Sequence, residues 1–207
     1  MSLSQRYFAA LMRLSDGAQE RLYGQRKARL FAGLAADSRV VEIGPGTGVN
    51  LPHLPEGVRL AGVEPNPHMH APLRRKAEKL DAQVELHEGR AEALPLPDAH
   101  ADAVISTLVL CSVADVAQAL AEVRRVLKPS GRFYFIEHVV AREGTARRRA
   151  QRLVKPAWRR LADGCRPDQA TGARIREAGF AEVRLERFPV GGVLNPVRPH
   201  VAGVARR

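Results

Sequence analysis

Three glycines at alternate positions follow a buried-type acid in the run Val40-Val41-Glu42-Ile43-Gly44-Pro45-Gly46-Thr47-Gly48. The run reads as a strand entering a glycine-rich turn. A second apolar run, Arg59-Leu60-Ala61-Gly62-Val63, leads into another acid, Glu64. Glycine in such a turn lets backbone approach a ligand closely, because no Cβ intervenes and positive φ costs little. An acid at the end of the next strand can accept hydrogen bonds from ribose hydroxyls. The pairing therefore points to an adenosine-bearing cofactor. Its spacing narrows the class. A dinucleotide loop, Gly-x-Gly-x-x-Gly/Ala, needs glycine or alanine where this chain has Val49. A Walker loop is excluded, since no Gly-Lys-Ser/Thr follows. The pattern present is Glu-x-Gly-x-Gly-x-Gly.

The elements that must carry these residues alternate. Strands are expected near 39–43, 59–63, 83–87, 102–107 and 132–138, with helices near 47–54, 67–80, 115–127, 145–162 and 169–178. Two last strands fit 181–188 and 198–206, separated by Pro189 to Pro196 with Gly191-Gly192, as a hairpin. Strand–helix alternation implies an α/β, doubly wound, mostly parallel sheet of seven strands, here with an antiparallel edge strand. Residues 1–36 read as two N-terminal helices, with Tyr7, Leu11 and Leu14 on one face and Phe8 and Met12 beside them. They either pack on the sheet or cover the cofactor pocket as a lid. The chain divides as one domain over 1–207: a helical cap at 1–36, a cofactor-binding core at 37–140, and substrate-side helices with the terminal hairpin at 141–207.

Length and composition set outer bounds. A chain of 207 residues, 45% of them apolar, suits one globular domain. No stretch of about 18 consecutive apolar residues is present, so no transmembrane helix is expected. The start lacks the features of a secretory signal, and the expected compartment is the cytoplasm. Cys111 and Cys165 suggest neither a disulfide framework nor a zinc site, and no metal is expected. His53, His68 and His70 form no ligand pattern. The net charge of +11 raises the question of nucleic acid. The basic residues are spread along the chain without a nucleic-acid-binding motif, so a solvated basic surface is the expectation.

Beyond the glycine loop, further segments fit one family. Gly62-Val63-Glu64-Pro65-Asn66 has the ribose acid and its turn, and Glu88-Gly89-Arg90-Ala91-Glu92-Ala93-Leu94-Pro95 resembles a loop flanking adenine. Ala103-Val104-Ile105-Ser106-Thr107-Leu108 and Glu122 to Arg132 match a fourth strand and the junction before a fifth. Residues 38–138 thus resemble the class I S-adenosylmethionine-dependent methyltransferases of the type 11 domain, which have a Rossmann-like sheet. The resemblance implies S-adenosylmethionine as cofactor, held by Glu42, Gly44, Pro45, Gly46, Gly48, Glu64, Pro65, Arg90, Ala91 and Leu108. At Arg90 this chain departs from the acid common in the family.

A narrower likeness runs further. Thr107-Leu108-Val109-Leu110-Cys111-Ser112-Val113, Ile136-Glu137-His138-Val139, Pro156-Ala157-Trp158, Asp163-Gly164-Cys165 and Val197-Arg198-Pro199-His200 resemble the membrane-associated thiol methyltransferases. That family also carries an N-terminal apolar anchor, so a soluble relative acting on a small-molecule thiol is implied. A thiol titrates near pH 8.5 and reaches thiolate with modest help, whereas a hydroxyl would need a stronger base. His138, at the end of strand five, and Asp163 are the candidate catalytic residues. Cys165 lines the pocket or is a small apolar residue; Cys111 packs near the cofactor. His200 with Arg198 either steadies an anionic acceptor or forms a surface pair. The alternatives are O- or C-methylation of a metabolite, RNA methylation, and a non-catalytic cofactor-binding protein.

The segment 145–161 carries an apolar stripe of Ala146, Ala150, Leu153, Ala157 and Leu161 beside a basic stripe of Arg148, Arg152, Lys155 and Arg159. Such a helix can lie on an anionic membrane. The alternative, a helix packed on the sheet by its apolar stripe, is the expectation.

Overall fold

The computed structural model describes residues 3–207. Strands β1 (Arg39–Ile43), β2 (Arg59–Val63), β3 (Gln83–His87), β4 (Ala101–Thr107), β5 (Leu127–His138), β6 (Glu182–Pro189) and β7 (Pro199–Arg206) form one sheet in the order β3-β2-β1-β4-β5-β7-β6. The first five run parallel; β7 enters antiparallel between β5 and β6. From β1 the chain goes to β2 on one side and later returns to β4 on the other. That reversal leaves a crevice at the carboxyl ends of β1 and β4, the place where open α/β sheets bind ligands.

Alternation along the central strands fills two cores. Val41, Ile43, Val63 and Val104 face α3 (Val116–Val126) and α5 (Thr171–Glu177), packing with Leu120, Val123 and Ile175. Val40, Leu60, Ala103, Ile105 and Tyr134 face the other way, with Leu73 and Ala77 of α2 (Pro67–Lys79) and Phe31 of α1 (Leu3–Phe31). Local signals set the helix starts. Asp115 caps α3 by accepting from Ala117 N and Gln118 N at 2.9 and 3.1 Å, and Asn66 caps α2 ahead of Pro67.

Four expectations change. The N-terminal residues form one helix, α1 (Leu3–Phe31), rather than two. Its apolar stripe faces outward, with Leu14 86% exposed, while Gln19, Tyr23 and Lys27 are buried. Polar contacts decide this orientation: Asp16 accepts from Thr47 Oγ1 at 2.6 Å and Lys76 Nζ at 2.7 Å, and Lys27 Nζ donates to Val49 O at 3.0 Å. The helix expected at 47–54 shrinks to a 3₁₀ turn at Leu51–His53, because Pro52 and the turn glycines stop propagation. Strand β5 begins earlier, at buried Leu127, which pairs with Ala101 ahead of an irregularity in register between Ala101 and Ala103.

The fourth change concerns α4 (Ala146–Leu161). Gln151 is its one buried residue, and Leu153 and Leu161 are exposed. The leucine stripe is not packed on the sheet. Gln151 acts as a polar peg, accepting from Ala141 N at 2.8 Å and donating to Pro196 O at 2.9 Å. Arg147 adds bonds to the carbonyls of Val193 and Asn195.

These placements separate two leucines. Leu120→Ala should cost about 2–5 kcal/mol, as for a buried leucine whose site cannot collapse. Leu153→Ala should change stability by no more than about 0.5 kcal/mol. Urea unfolding of both variants checks the orientation of α4; a large loss at Leu153 would contradict it.

Candidate active site

The crevice at the switch point is a cavity of about 380 Å³. The turn after β1 forms its floor. Gly44 and Gly46 adopt φ of +59° and +55°. A Cβ on Gly44 would lie 2.7 Å from Val109 Cγ2, whereas one on Gly46 would meet no atom within 4 Å and would stand in the cavity. Gly46 is therefore the glycine whose missing side chain makes ligand space. Gly48, at φ +78°, does not line the cavity; its Cβ would press on Leu51 at 2.9 Å and on Leu73. Its glycine is required by packing.

Glu64 stands at the cavity wall, buried except for its lining atoms. One carboxylate oxygen accepts from Gly46 N at 3.0 Å and the other from Asn66 N at 2.9 Å. Burial raises its pKa, while these two bonds and His70 oppose the shift. A carboxylate has about four acceptor positions, so capacity remains for two ribose hydroxyls. Pro65, Arg90, Ala91 and Leu108 also line the cavity. Leu108 holds a left-handed φ of +60°, which costs on the order of 1–3 kcal/mol outside glycine. Its N–H donates to Ile136 O at 2.8 Å, which holds the turn against that cost.

Glu42 lies beneath the floor and does not line the cavity. Its Oε1 accepts from Asn50 Nδ2 at 2.7 Å, and the same amide donates to Thr107 Oγ1 at 2.9 Å. Thr107 does line the cavity. Burial pushes the Glu42 carboxyl up to about 7, against the pull of Asn50 and Lys27. Glu42 Oε2 and Asn50 Oδ1 are buried without a partner among the described residues. Two orphaned acceptors mark a place for a donor, such as a water or the amino group of a methionyl moiety. With the space over Gly46 and the open positions on Glu64, the residues fit an adenosyl-methionyl cofactor. Sequence reasoning missed Asn50 and Lys27; neither matches a motif, and only the fold sets them under the loop. It also missed Phe8 and Met12 as lining residues from α1.

Asp163 lines the cavity from the loop after α4, at φ +45°, and partial burial raises its carboxyl. The third lining acid, Glu92, is engaged by Ala114 N at 2.6 Å. Among the described residues Asp163 is thus the lining carboxylate with no backbone donor on it.

His138 is 4% exposed and does not line the cavity. Its Nε2 lies 3.0 Å from Cys165 Sγ, and its Nδ1 has no partner among the described residues. It meets a sulfur of its own chain rather than the cavity. The Cys165 sulfur also receives the Trp158 indole N–H at 3.3 Å. The Cys111 sulfur lies close by, and that neighbour, with His138, draws the Cys165 pKa down despite burial. The same contact and burial push the Cys111 thiol up. Distant spacing gave no reason to expect a cluster, yet the fold gathers Cys111, His138 and Cys165 with donor atoms within 4.8 Å of one another. His53, His68 and His70 are not in it: His53 pairs with Glu20, and His70 meets Glu64 O.

His200 is buried, not part of a surface pair. Its Nδ1 donates to Arg198 O at 3.1 Å and its Nε2 accepts from Tyr23 Oη at 2.8 Å. Burial lowers its pKa to about 4, so it stays neutral and offers no charge to an anionic acceptor. Glu137, also missed, holds the turn after β4: its Oε1 accepts from Ser106 Oγ at 2.5 Å and Val109 N at 3.2 Å.

A family model described as a methyltransferase domain matches residues 41–135. Human thiol S-methyltransferase TMT1B is 34% identical over 212 residues, which span 98% of this chain and 87% of that relative. Human thiol S-methyltransferase TMT1A is 36% identical over 84% of this chain and 73% of its own length. The ubiquinone/menaquinone biosynthesis C-methyltransferase UbiE of Caulobacter vibrioides is 33% identical over 80% of this chain and 67% of its own. A solved S-adenosylmethionine-dependent methyltransferase from Thermotoga maritima, a possible histamine N-methyltransferase, superposes with a TM-score of 0.69 over 100% of both chains, at 23% identity. A chain in the complex of Haloferax volcanii Trm112 with a methyltransferase gives 0.73 over 100% of this chain and 98% of that one, at 19% identity. These two structural likenesses speak for the fold.

Glu64→Ala should weaken S-adenosylmethionine binding at least about tenfold, since each charged bond contributes on the order of 1.5–3 kcal/mol. Calorimetric titration reads this directly; unchanged affinity would remove Glu64 from the site. Glu42 gives a pH signature. Its folded pKa of about 7 exceeds its ordinary 4.5, so the folded state keeps a proton that the unfolded chain releases between these values. Its contribution to stability is therefore lost as pH rises through that window, by up to about 3 kcal/mol. Glu42→Gln should flatten the decline between pH 5 and 7 in urea unfolding; an identical profile would contradict the shift.

Proposed function

The chain belongs to the S-adenosylmethionine-dependent methyltransferases, and we propose that its acceptor is the thiol of a small molecule. The observation that carries the proposal is the near-complete alignment with thiol S-methyltransferases, through the segments that form the far wall of the cavity. The chemistry of that wall supports it. Leu108, Val109 and Val113 give it apolar side chains, and Phe8 and Met12 of α1 also line the cavity. Such a wall suits a polarisable sulfur acceptor and excludes water from the reacting atoms.

S-adenosylmethionine supplies an activated methyl group on sulfonium sulfur. The chain's residues supply position and a proton acceptor. Glu64 would hold the ribose, and the Glu42–Asn50–Thr107 chain the amino end. Asp163, raised by burial and without a backbone donor, is the group we assign to receive the acceptor's proton. A thiol near pKa 8.5 demands little of such a base, whereas a hydroxyl demands far more. His138 would act from behind the wall, through Cys165, and not on the acceptor itself.

A second reading, carbon methylation, has the alignment with UbiE in its favour. One assay separates the two. Purified protein with S-adenosylmethionine is offered alkyl and aryl thiols, phenols and a demethylated quinol. S-methyl products should form with rates rising as pH approaches the thiol pKa, and Asp163→Asn should lower turnover more than cofactor affinity. Product from the quinol alone would overturn the thiol proposal.

A further inference from the structure

Behind the far wall, Cys111, His138 and Cys165 converge from three separate elements: the turn after β4, the end of β5 and the loop after α4. All three are buried, and their donor atoms lie within 4.8 Å of one another. We propose that these three side chains form a binding site for one zinc-class divalent ion, with a fourth position open toward the acceptor end of the cavity.

The donor chemistry selects the ion. Two sulfurs and one imidazole nitrogen, with no carboxylate among them, suit a soft or borderline metal and not magnesium or calcium. Three protein ligands with one free position is the arrangement of catalytic zinc. Zinc–sulfur bonds of about 2.3 Å and zinc–nitrogen bonds of about 2.0 Å place ligand atoms nearly 4 Å apart, so the cluster needs only small side-chain shifts to close on an ion. Nε2 of His138 is the ligating nitrogen, because it faces the sulfurs.

The backbone around the cluster is already stitched. Arg166 N donates to Cys111 O at 2.9 Å, tying the loop that carries Cys165 to the turn that carries Cys111. The Trp158 indole N–H on the Cys165 sulfur is a contact that a metal-bound thiolate retains. The open side follows from chain neighbours. Ser112, next to Cys111, and Asp163, two residues before Cys165, both line the cavity. Ser112 Oγ lies 3.6 Å from Cys111 Sγ. A thiol entering from the cavity would give up its proton to Asp163, which lines the cavity, and bind the ion as thiolate. That last role rests on the thiol reading above; binding of the ion does not.

The test begins without any acceptor. The full-length protein, stripped with chelator and reloaded with zinc alone, should hold about one ion per chain by elemental mass spectrometry. Cobalt in its place should give thiolate-to-metal charge-transfer absorption. Cys165→Ser and Cys111→Ser should each weaken zinc roughly a hundredfold or more. Because either variant could unfold, the cobalt spectrum of the unaltered protein stands as an independent readout. Absence of stoichiometric metal and of the cobalt–thiolate band would overturn the site, as would full zinc affinity in Cys165→Ser. Addition of 2-mercaptoethanol to the cobalt protein should shift the band; a band that no thiol moves would overturn the open position. A zinc-loaded protein that methylates no thiol would instead strike the acceptor reading and leave the site intact.

Discussion

Parallel strands that diverge at a switch point leave backbone N–H groups of their outgoing turns with no strand to pair with, and everything at this site depends on how those donors are satisfied. Buried carboxylates do it. Glu64, just after β2, accepts from Gly46 N and Asn66 N, and Glu137, in β5, accepts from Ser106 Oγ and Val109 N. Glu42, in β1, accepts instead from the side-chain amide of Asn50 in the same turn. Each acid pays a desolvation penalty, visible as a raised pKa. In return the turns are rigid, and the cavity they enclose keeps its shape before any ligand enters. Glu42 Oε2 and Asn50 Oδ1 are where that balance is left unfilled among the described residues.

The N-terminal helix follows the same electrostatic logic. A helix with Asp16, Gln19, Tyr23 and Lys27 turned inward would be a poor core helix. Here it answers polar groups presented by the turn after β1, by α2 and by β7: Thr47 and Lys76 to Asp16, Val49 O to Lys27, His200 to Tyr23. The cost is an exposed row of Tyr7, Leu11, Leu14 and Leu22 on the outer side. The part of α1 that reaches the cavity, Phe8 and Met12, is positioned by these bonds further along the helix.

Much of this was legible in the residues. Strand positions followed from apolar runs, and the loop from Glu42 to Gly48 with Glu64 pointed to the crevice at the carboxyl ends of β1 and β2, because those features are local. Orientation was not local. Hydrophobic periodicity grouped Tyr7, Leu11 and Leu14 on one face without saying where it points, and put the apolar stripe of α4 on the sheet, since periodicity weighs apolar area and cannot see a distant polar partner. Gly48 looked like a ligand residue and is a packing residue, because spacing alone does not say which side of a turn a missing Cβ faces. The gathering of Cys111, His138 and Cys165 was invisible for the same reason: three elements far apart in sequence meet only once the sheet order is known.

The central claim is that cofactor and acceptor share one cavity floored by the β1 turn and walled by the turn after β4. Hydrogen exchange with and without S-adenosylhomocysteine tests it most directly. The account predicts slowed exchange in peptides covering 44–50, 64–67, 90–92 and 107–114, with α1 around Phe8 and Met12 protected as well. Protection confined to other segments, or none at saturating ligand, would contradict it.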